Sequence, residues 1–190
     1  MDSKKVVFVA FEEFDNLGIG YLMSVLSDGG FDSLVIDVRD EKEKILATLL
    51  NTNPLIVGFS VVFQFYIYAF SNLIAYLRKE GINCHFAAGG QYASLKYKEL
   101  FKIIPELDSI VRFEGEYTFL ELVNHINSGS NWRLIKSIAF KNQHDTVATP
   151  LRPLEKDLDK YPFPKRSPLK EYAFGKKFST LIAGRGCVYN

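Results

Sequence analysis

One cysteine and four short stretches hold the groups in this 190-residue chain that could do chemistry. The cysteine stands near the end, in Gly184-Arg185-Gly186-Cys187-Val188-Tyr189-Asn190, where a thiolate could act as a nucleophile or a metal ligand. The stretches are residues 12–18, 60–64, 89–92 and 114–116. Gly89-Gly90 admits a large ligand close to the backbone, because no Cβ blocks it. Ser60 is followed by Val61-Val62-Phe63-Gln64, groups able to wall a slot. Glu114-Gly115-Glu116 opens a helix, where carboxylates suit the dipole and accept ligand or backbone donors. Glu12, Glu13 and Asp15 could do acid–base work.

Each feature also has a purely structural reading: a tight turn for the glycines, a cap for Ser60, first-turn acids for Glu114 and Glu116, and a solvated loop for residues 12–15. No catalytic constellation stands out. His85 belongs at the start of a strand, opposite the crevice, His125 late in a surface helix and His144 in a hairpin turn. Their spread argues against a metal site. Cys84 and Cys187 lie too far apart in sequence to suggest a disulfide framework.

The elements that position these stretches follow from hydrophobic patterning. Val6-Val7-Phe8-Val9-Ala10 is a short apolar run suited to a strand buried on both faces. Leu34-Val35-Ile36-Asp37-Val38, Leu55-Ile56-Val57-Gly58-Phe59-Ser60, His85-Phe86-Ala87-Ala88 and Ser109-Ile110-Val111-Arg112-Phe113 repeat the pattern. Between them, apolar residues at helical spacing predict helices from Leu17 to the Gly29-Gly30 stop, from an opening over Asp40 to Lys44 to the Asn53-Pro54 stop, and over 65–79, 94–104 and 117–126. Strict alternation with short connections implies an α/β fold. The expectation is a flavodoxin-like (Rossmann-like) three-layer sandwich with a five-stranded parallel sheet. Its ligands bind beyond the carboxyl ends of the strands, where strand order reverses. Residues 131–150 read as a β-hairpin extension and 151–177, with five prolines between Pro150 and Lys177, as a linker or wrapping segment. Residues 178–182 read as a further strand.

Composition narrows the partners. A net charge of +1 argues against nucleic acid. No apolar run reaches the roughly 18–20 residues of a membrane span, and no signal peptide precedes the first strand. The expected location is cytoplasmic.

The order of the stretches resembles a known family. Asn16-Leu17-Gly18-Ile19-Gly20-Tyr21-Leu22, Asp37, Gly58-Phe59-Ser60, Gly89-Gly90-Gln91-Tyr92-Ala93 and Glu114-Gly115-Glu116-Tyr117-Thr118-Phe119 look like the N-terminal cobalamin-binding domain of radical SAM enzymes. Tyr161-Pro162-Phe163-Pro164, Tyr172 and residues 179–190 look like the approach to the radical SAM barrel, where that family continues as CxxxCxxC. The resemblance divides the chain into a cobalamin-binding-like domain (1–130), the hairpin extension (131–150), the linker (151–177) and the start of a barrel (178–190).

The resemblance implies that Cys187 is the first of three thiolate ligands to a [4Fe–4S] cluster that binds S-adenosylmethionine. With one such cysteine, these 190 residues are expected to be inactive alone and to dock with the rest of their own barrel. It also implies a cobalamin site. The corrin would face Phe14, Asp15, Asn16, Leu17 and Gly18. The nucleotide tail would insert near Ser60, Val61, Val62, Phe63 and Gln64 and near Gly89, Gly90, Gln91 and Tyr92, with Glu114, Gly115 and Glu116 on the border. The loop departs from the DxHxxG pattern of cobalamin mutases: residues 12–18 contain no histidine, so none there can be the lower cobalt ligand. The full protein is expected to be a methyltransferase. The alternatives are an oxidative cyclase of the anaerobic magnesium-protoporphyrin ester type, or a domain that keeps the fold without cobalamin as a docking or gating module. Bulky Phe63, Gln64, Tyr66 and Tyr92 decide that last point: if they fill the slot, no tail can enter.

Overall fold

A computed structural model describes residues 4–12, 16–143, 145–166, 173–177, 179–182 and 184–185. In β1 (Lys5–Ala10), every residue after Lys5 is buried. Val6, Phe8 and Ala10 enter one core while Val7 and Val9 enter the other, the two-residue period of a strand covered on both faces. β2 (Asp32–Asp37), β3 (Ile56–Ser60), β4 (His85–Gly89) and β5 (Ser109–Val111) run parallel to it.

The strand order is β2-β1-β3-β4-β5-β6-β7. The expected hairpin forms as β6 (Ile138–Asn142) and β7 (Asp145–Ala148), but it continues the main sheet. β6 pairs antiparallel with β5, so the five-stranded expectation becomes a seven-stranded, mostly parallel sheet. The reason lies in burial: Ile138, Ala139 and Phe140 are apolar and buried beside β5, an edge that would otherwise leave its backbone groups unpaired.

Helices α1 (Leu17–Asp28) and α6 (Glu116–Asn127) cover one face. Helices α2 (Lys42–Thr52), α3 (Ile67–Lys79), α4 (Gln91–Leu95) and α5 (Tyr97–Ile103) build the other layer. Several boundaries differ from expectation. The helix expected over 94–104 begins at Gln91 and breaks at Lys96, so Gln91 and Tyr92 lie in a first helical turn. Residues 64–66 form a 3-10 turn before α3. β5 ends at Val111, and Phe113 turns away with φ +63°. Residues 179–182 form no strand, because among the described residues no ladder accepts them; Leu181 is 87% exposed.

The amino ends of the strands are tied by a polar knot. Arg78, at the end of α3, donates to the carbonyls of Ile82, Cys84 and Glu106 and to Asp108 Oδ2 at 2.7 Å, with its guanidinium 3.5 Å from the Phe86 ring centre. Asp108 Oδ2 also accepts from Phe86 N at 2.7 Å. Beside this knot, His85 Nε2 lies 2.7 Å from Ser109 Oγ, with Trp132 edge-on to the ring. Burial, aided by Arg78 and Arg133 and opposed by Asp108, pulls His85 from 6.5 down to about 4. The unfolded chain therefore takes up this proton at higher pH than the folded one. This part of the stability is whole above pH 6.5 and falls as the pH drops from 6.5 toward about 4. Thermal midpoints across that window should show the loss, and His85→Gln should flatten it.

Candidate ligand-binding crevice

Strand order reverses between β1 and β3, and the helices that follow them, α1 and α3, go to opposite faces of the sheet, the place where a doubly wound fold offers a crevice. On the β1 side, Phe11 packs its ring 4.2 Å from that of Tyr66. Glu13, Phe14 and Asp15 lie outside the described residues, so the expectation placed on Phe14 and Asp15 does too. Asn16 caps α1: its Oδ1 accepts from Ile19 N at 3.2 Å, while its Nδ2 donates to Phe11 O at 3.3 Å. Leu17 is buried and Gly18 is exposed. At the end of β2, Asp37 receives two side-chain bonds from Arg39, which hold its carboxyl below the usual aspartate range against some opposing burial.

The β3 and β4 exits are joined to each other. Val61 N donates to Gly89 O at 2.8 Å, while the N–H groups of Tyr92 and Ala93 donate to Val62 O and Val61 O, each at 3.3 Å. Gly90 makes this approach feasible. Its φ is +105° and ψ 175°, a region that is essentially glycine-only. A Cβ there would stand 2.9 Å from Val61 O and 3.2 Å from Val62 Cγ2. The close approach allowed by the glycines is thus made by the chain itself, and it shapes the floor of the crevice.

Ser94, which the sequence reading passed over, connects this floor to the β5 exit. Its Oγ donates to Gly90 O and accepts from Phe113 N, both at 2.8 Å. A buried serine in a helix otherwise carries no distinguishing sequence signal. Glu114 accepts from Glu155 N at 3.1 Å, so the linker folds over the β5 end. Between them lies a cavity of about 490 Å³, walled by Phe113, Glu114, Tyr117, Arg152, Leu154 and Tyr161 among others. It borders only Glu114 of the expected site residues and lies to one side of the slot at 60–64. Gly115 sits over Val111, and Glu116 opens α6 with its carboxylate on Arg185 rather than toward the crevice.

The slot can be tested against the bulk of its neighbours. Phe63 is 58% exposed and Gln64 exposed, so neither is packed between sheet and helices, whereas Tyr66, 43% exposed, leans on Phe11 across the β1 and β3 exits. Tyr92 packs against the core. Phe65 and Tyr68 add to an uncovered apolar rim at this end of the sheet. Ser60, Gly89 and Gln91 remain accessible beside it. The residues present fit a large, flat, mostly apolar group with a polar appendage.

Metal-binding side chains are elsewhere. Among the described residues, no three His, Cys, Asp or Glu side chains group to hold a metal ion. Both described histidines, His85 and His125, belong to the amino-end half, and His144 lies outside the described residues. Burial pushes the Cys84 thiol up to about 11, which makes it a poor ligand. Cys187 lies outside the described residues. No helix among those described is long and apolar enough to cross a membrane.

The fold is a doubly wound α/β domain, with its strand order reversing between β1 and β3. The family follows from comparison with known sequences. The family model for the B12 binding domain matches residues 3–123, and the chain belongs to that family. An uncharacterized methyltransferase of Pyrococcus horikoshii is 28% identical over 181 residues, covering 92% of this chain and 39% of the relative. An anaerobic magnesium-protoporphyrin IX monomethyl ester cyclase of Synechocystis is 28% identical over 118 residues, 60% of this chain and 24% of the cyclase. Among solved structures, the radical S-adenosylmethionine methyltransferase TsrM from Kitasatospora setae, with cobalamin and a [4Fe–4S] cluster bound, superposes with a TM-score of 0.69. That likeness covers 85% of this chain and 31% of TsrM at 20% identity, and it speaks to the fold. The chain therefore spans well under half the length of these relatives.

Proposed function

We propose that this chain is the cobalamin-binding module of a radical SAM enzyme whose longer form transfers a methyl group from S-adenosylmethionine. The observation that carries the reading is the extent of the resemblance. The B12 binding domain accounts for residues 3–123, whereas likeness to the Pyrococcus methyltransferase covers 92% of the chain and so continues into the segment that leads toward Cys187. The cyclase likenesses cover 60%, 75% and 74% of the chain, each less than 92%, and the cyclase reading stands second for that reason. A module that keeps the fold without its cofactor is opposed by the exposure of Phe63 and Gln64, which do not fill the space between sheet and helices.

Ser60, Gly89 and Gln91 would hold the nucleotide tail, with the exposed aromatic rim beneath the macrocycle. When bound, cobalamin supplies a cobalt centre able to carry a methyl group. The protein's own contribution is placement: the 61–62 turn fixes the slot floor, the apolar rim excludes water, and no histidine in residues 12–18 reaches up as a lower ligand. In the longer protein, Cys187 would be the first cluster ligand and the barrel would cover this rim.

The test is to mix the purified chain with hydroxocobalamin, desalt it and record the visible spectrum, then reduce the complex to cobalt(II) for electron paramagnetic resonance. Retained corrinoid without the splitting of a histidine nitrogen on cobalt is expected. Complete loss on desalting, or a histidine-ligated signal, would overturn the reading.

A further inference from the structure

Glu116 raises a problem of charge. It is 6% exposed, and a buried carboxylate needs a partner. Arg185 supplies it, with Nη1 2.5 Å from Oε1. The guanidinium carbon stands 4.7 Å from the ring centre of Tyr21 and 4.9 Å from that of Tyr161. Tyr161 is stacked on Tyr117 at 5.2 Å and meets Tyr21 edge-on at 6.3 Å. Burial, with Glu116 and Glu114 adding to it, pushes the Tyr161 phenol up to about 12, so the ring stays neutral. Tyr21 of α1 and Tyr161 of the linker thus flank one guanidinium, with Tyr117 of α6 stacked on Tyr161, a setting that suits arginine's flat, delocalised charge.

The chain leading to this pair is laid along α1. Ser24 Oγ donates to Phe163 O at 2.7 Å and accepts from Lys165 N at 2.8 Å, and Lys165 N also donates to Gly20 O at 3.0 Å. Gly20 must lack a side chain, because a Cβ would clash with the Lys165 carbonyl oxygen. Farther on, Arg166 donates to Ser179 Oγ and Thr180 O, each at 2.9 Å. Apolar packing does little for the last stretch: Leu181 is 87% and Ile182 47% exposed. Among the described residues beyond 180, Arg185 holds the stretch to α6 and α1.

We propose that Arg185 is a positioning residue. Its ion pair with Glu116, flanked by Tyr21 and Tyr161, fixes at the carboxyl end of the sheet the point from which the chain leaves for Cys187. One ion pair thereby ties residue 185, two positions before Cys187 in sequence, to the start of α6. The importance of that tie for a cluster rests on the function proposed above, whereas the latch itself does not.

The test is a distance measurement in the 190-residue chain without cobalamin. Spin labels are placed on Cys187 and on a cysteine introduced at exposed Leu50, with Cys84 replaced by alanine, and the distance distribution is read by pulsed electron paramagnetic resonance. Arg185→Met is expected to broaden the distribution at least about twofold, as a local release that leaves the thermal midpoint of the sheet nearly unchanged. Glu116→Gln should do the same, and the double variant should be no broader than the singles, since both remove one interaction. Arg185→Lys keeps the charge without the flat fork and should narrow the distribution only partway back. An unchanged width in Arg185→Met, or a double variant clearly broader than either single, would overturn the latch. Corrinoid retention is read separately, so failure here is distinct from failure of the cofactor reading.

Discussion

Gly90→Leu is expected to abolish retention of cobalamin and to lower stability by about 2–4 kcal/mol, the sum of backbone strain and overpacking. The strain arises because φ +105° with ψ 175° is closed to residues with a side chain. The overpacking arises because the new Cβ meets Val61 O at 2.9 Å and Val62 Cγ2 at 3.2 Å. Relief requires the 61–62 turn to lift from α4, which breaks the bonds from the Tyr92 and Ala93 N–H groups and moves the slot floor. A control separates this from simple destabilisation. Gly129 also has positive φ, +67°, but no atom within 4 Å of its missing Cβ, and it follows the far end of α6. Gly129→Leu should cost about 1 kcal/mol through strain alone and keep the cofactor. Circular dichroism and thermal melting establish that both variants fold. Wild-type retention by folded Gly90→Leu would remove the β3–β4 floor from the site.

Arg78→Ala should show the opposite pattern, a loss of about 3 kcal/mol in unfolding free energy with cobalamin retained by the folded fraction. One side chain satisfies three carbonyls and one carboxylate at the amino ends of the strands, and truncation leaves all of them short of a donor. Asp108 would keep only the Phe86 N–H, and the Phe86 ring would lose its stacked guanidinium. The pair is partly exposed, with side chains 21% and 41% accessible, which holds the expected cost below that of a fully buried ion pair. Urea unfolding measures it. Arg78→Lys should recover little, because a single ammonium cannot span the fork. An effect within about 0.5 kcal/mol, the range of ordinary surface changes, would show that water replaces the knot.

Strands and helices were legible because their periods are: β1, β3 and β4 are apolar on both faces, and each glycine or proline break falls near a real boundary. What pattern could not give was partnership. The hairpin at 138–148 alternates like any exposed ribbon, yet it joins the β5 edge, since nothing in residues 131–150 says which edge is open. The apolar run at 178–182 has the composition of a strand, but a strand needs a ladder, and the described part finds none. At the site, Gly89-Gly90 was visible as a close approach, although the group that approaches first is Val61 O. Glu116 read as a first-turn acid, and its true partner lies 69 residues away in a segment with no periodicity to flag it. Ser94 was missed for the same reason, and Tyr161 was read only as part of the approach to the barrel, not as a contact of Arg185. Their roles come from long-range contacts that one-dimensional spacing does not encode.

Cobalamin is expected to bind beside the exposed Phe63 and Gln64 at the carboxyl ends of the strands. Anaerobic titration of the chain with hydroxocobalamin, followed by changes in the visible spectrum, measures that directly. Saturation at one corrinoid per chain with a Kd below about 10 μM, corresponding to about −7 kcal/mol, is the expected result. A linear, unsaturable response that Gly90→Leu leaves unchanged would contradict it.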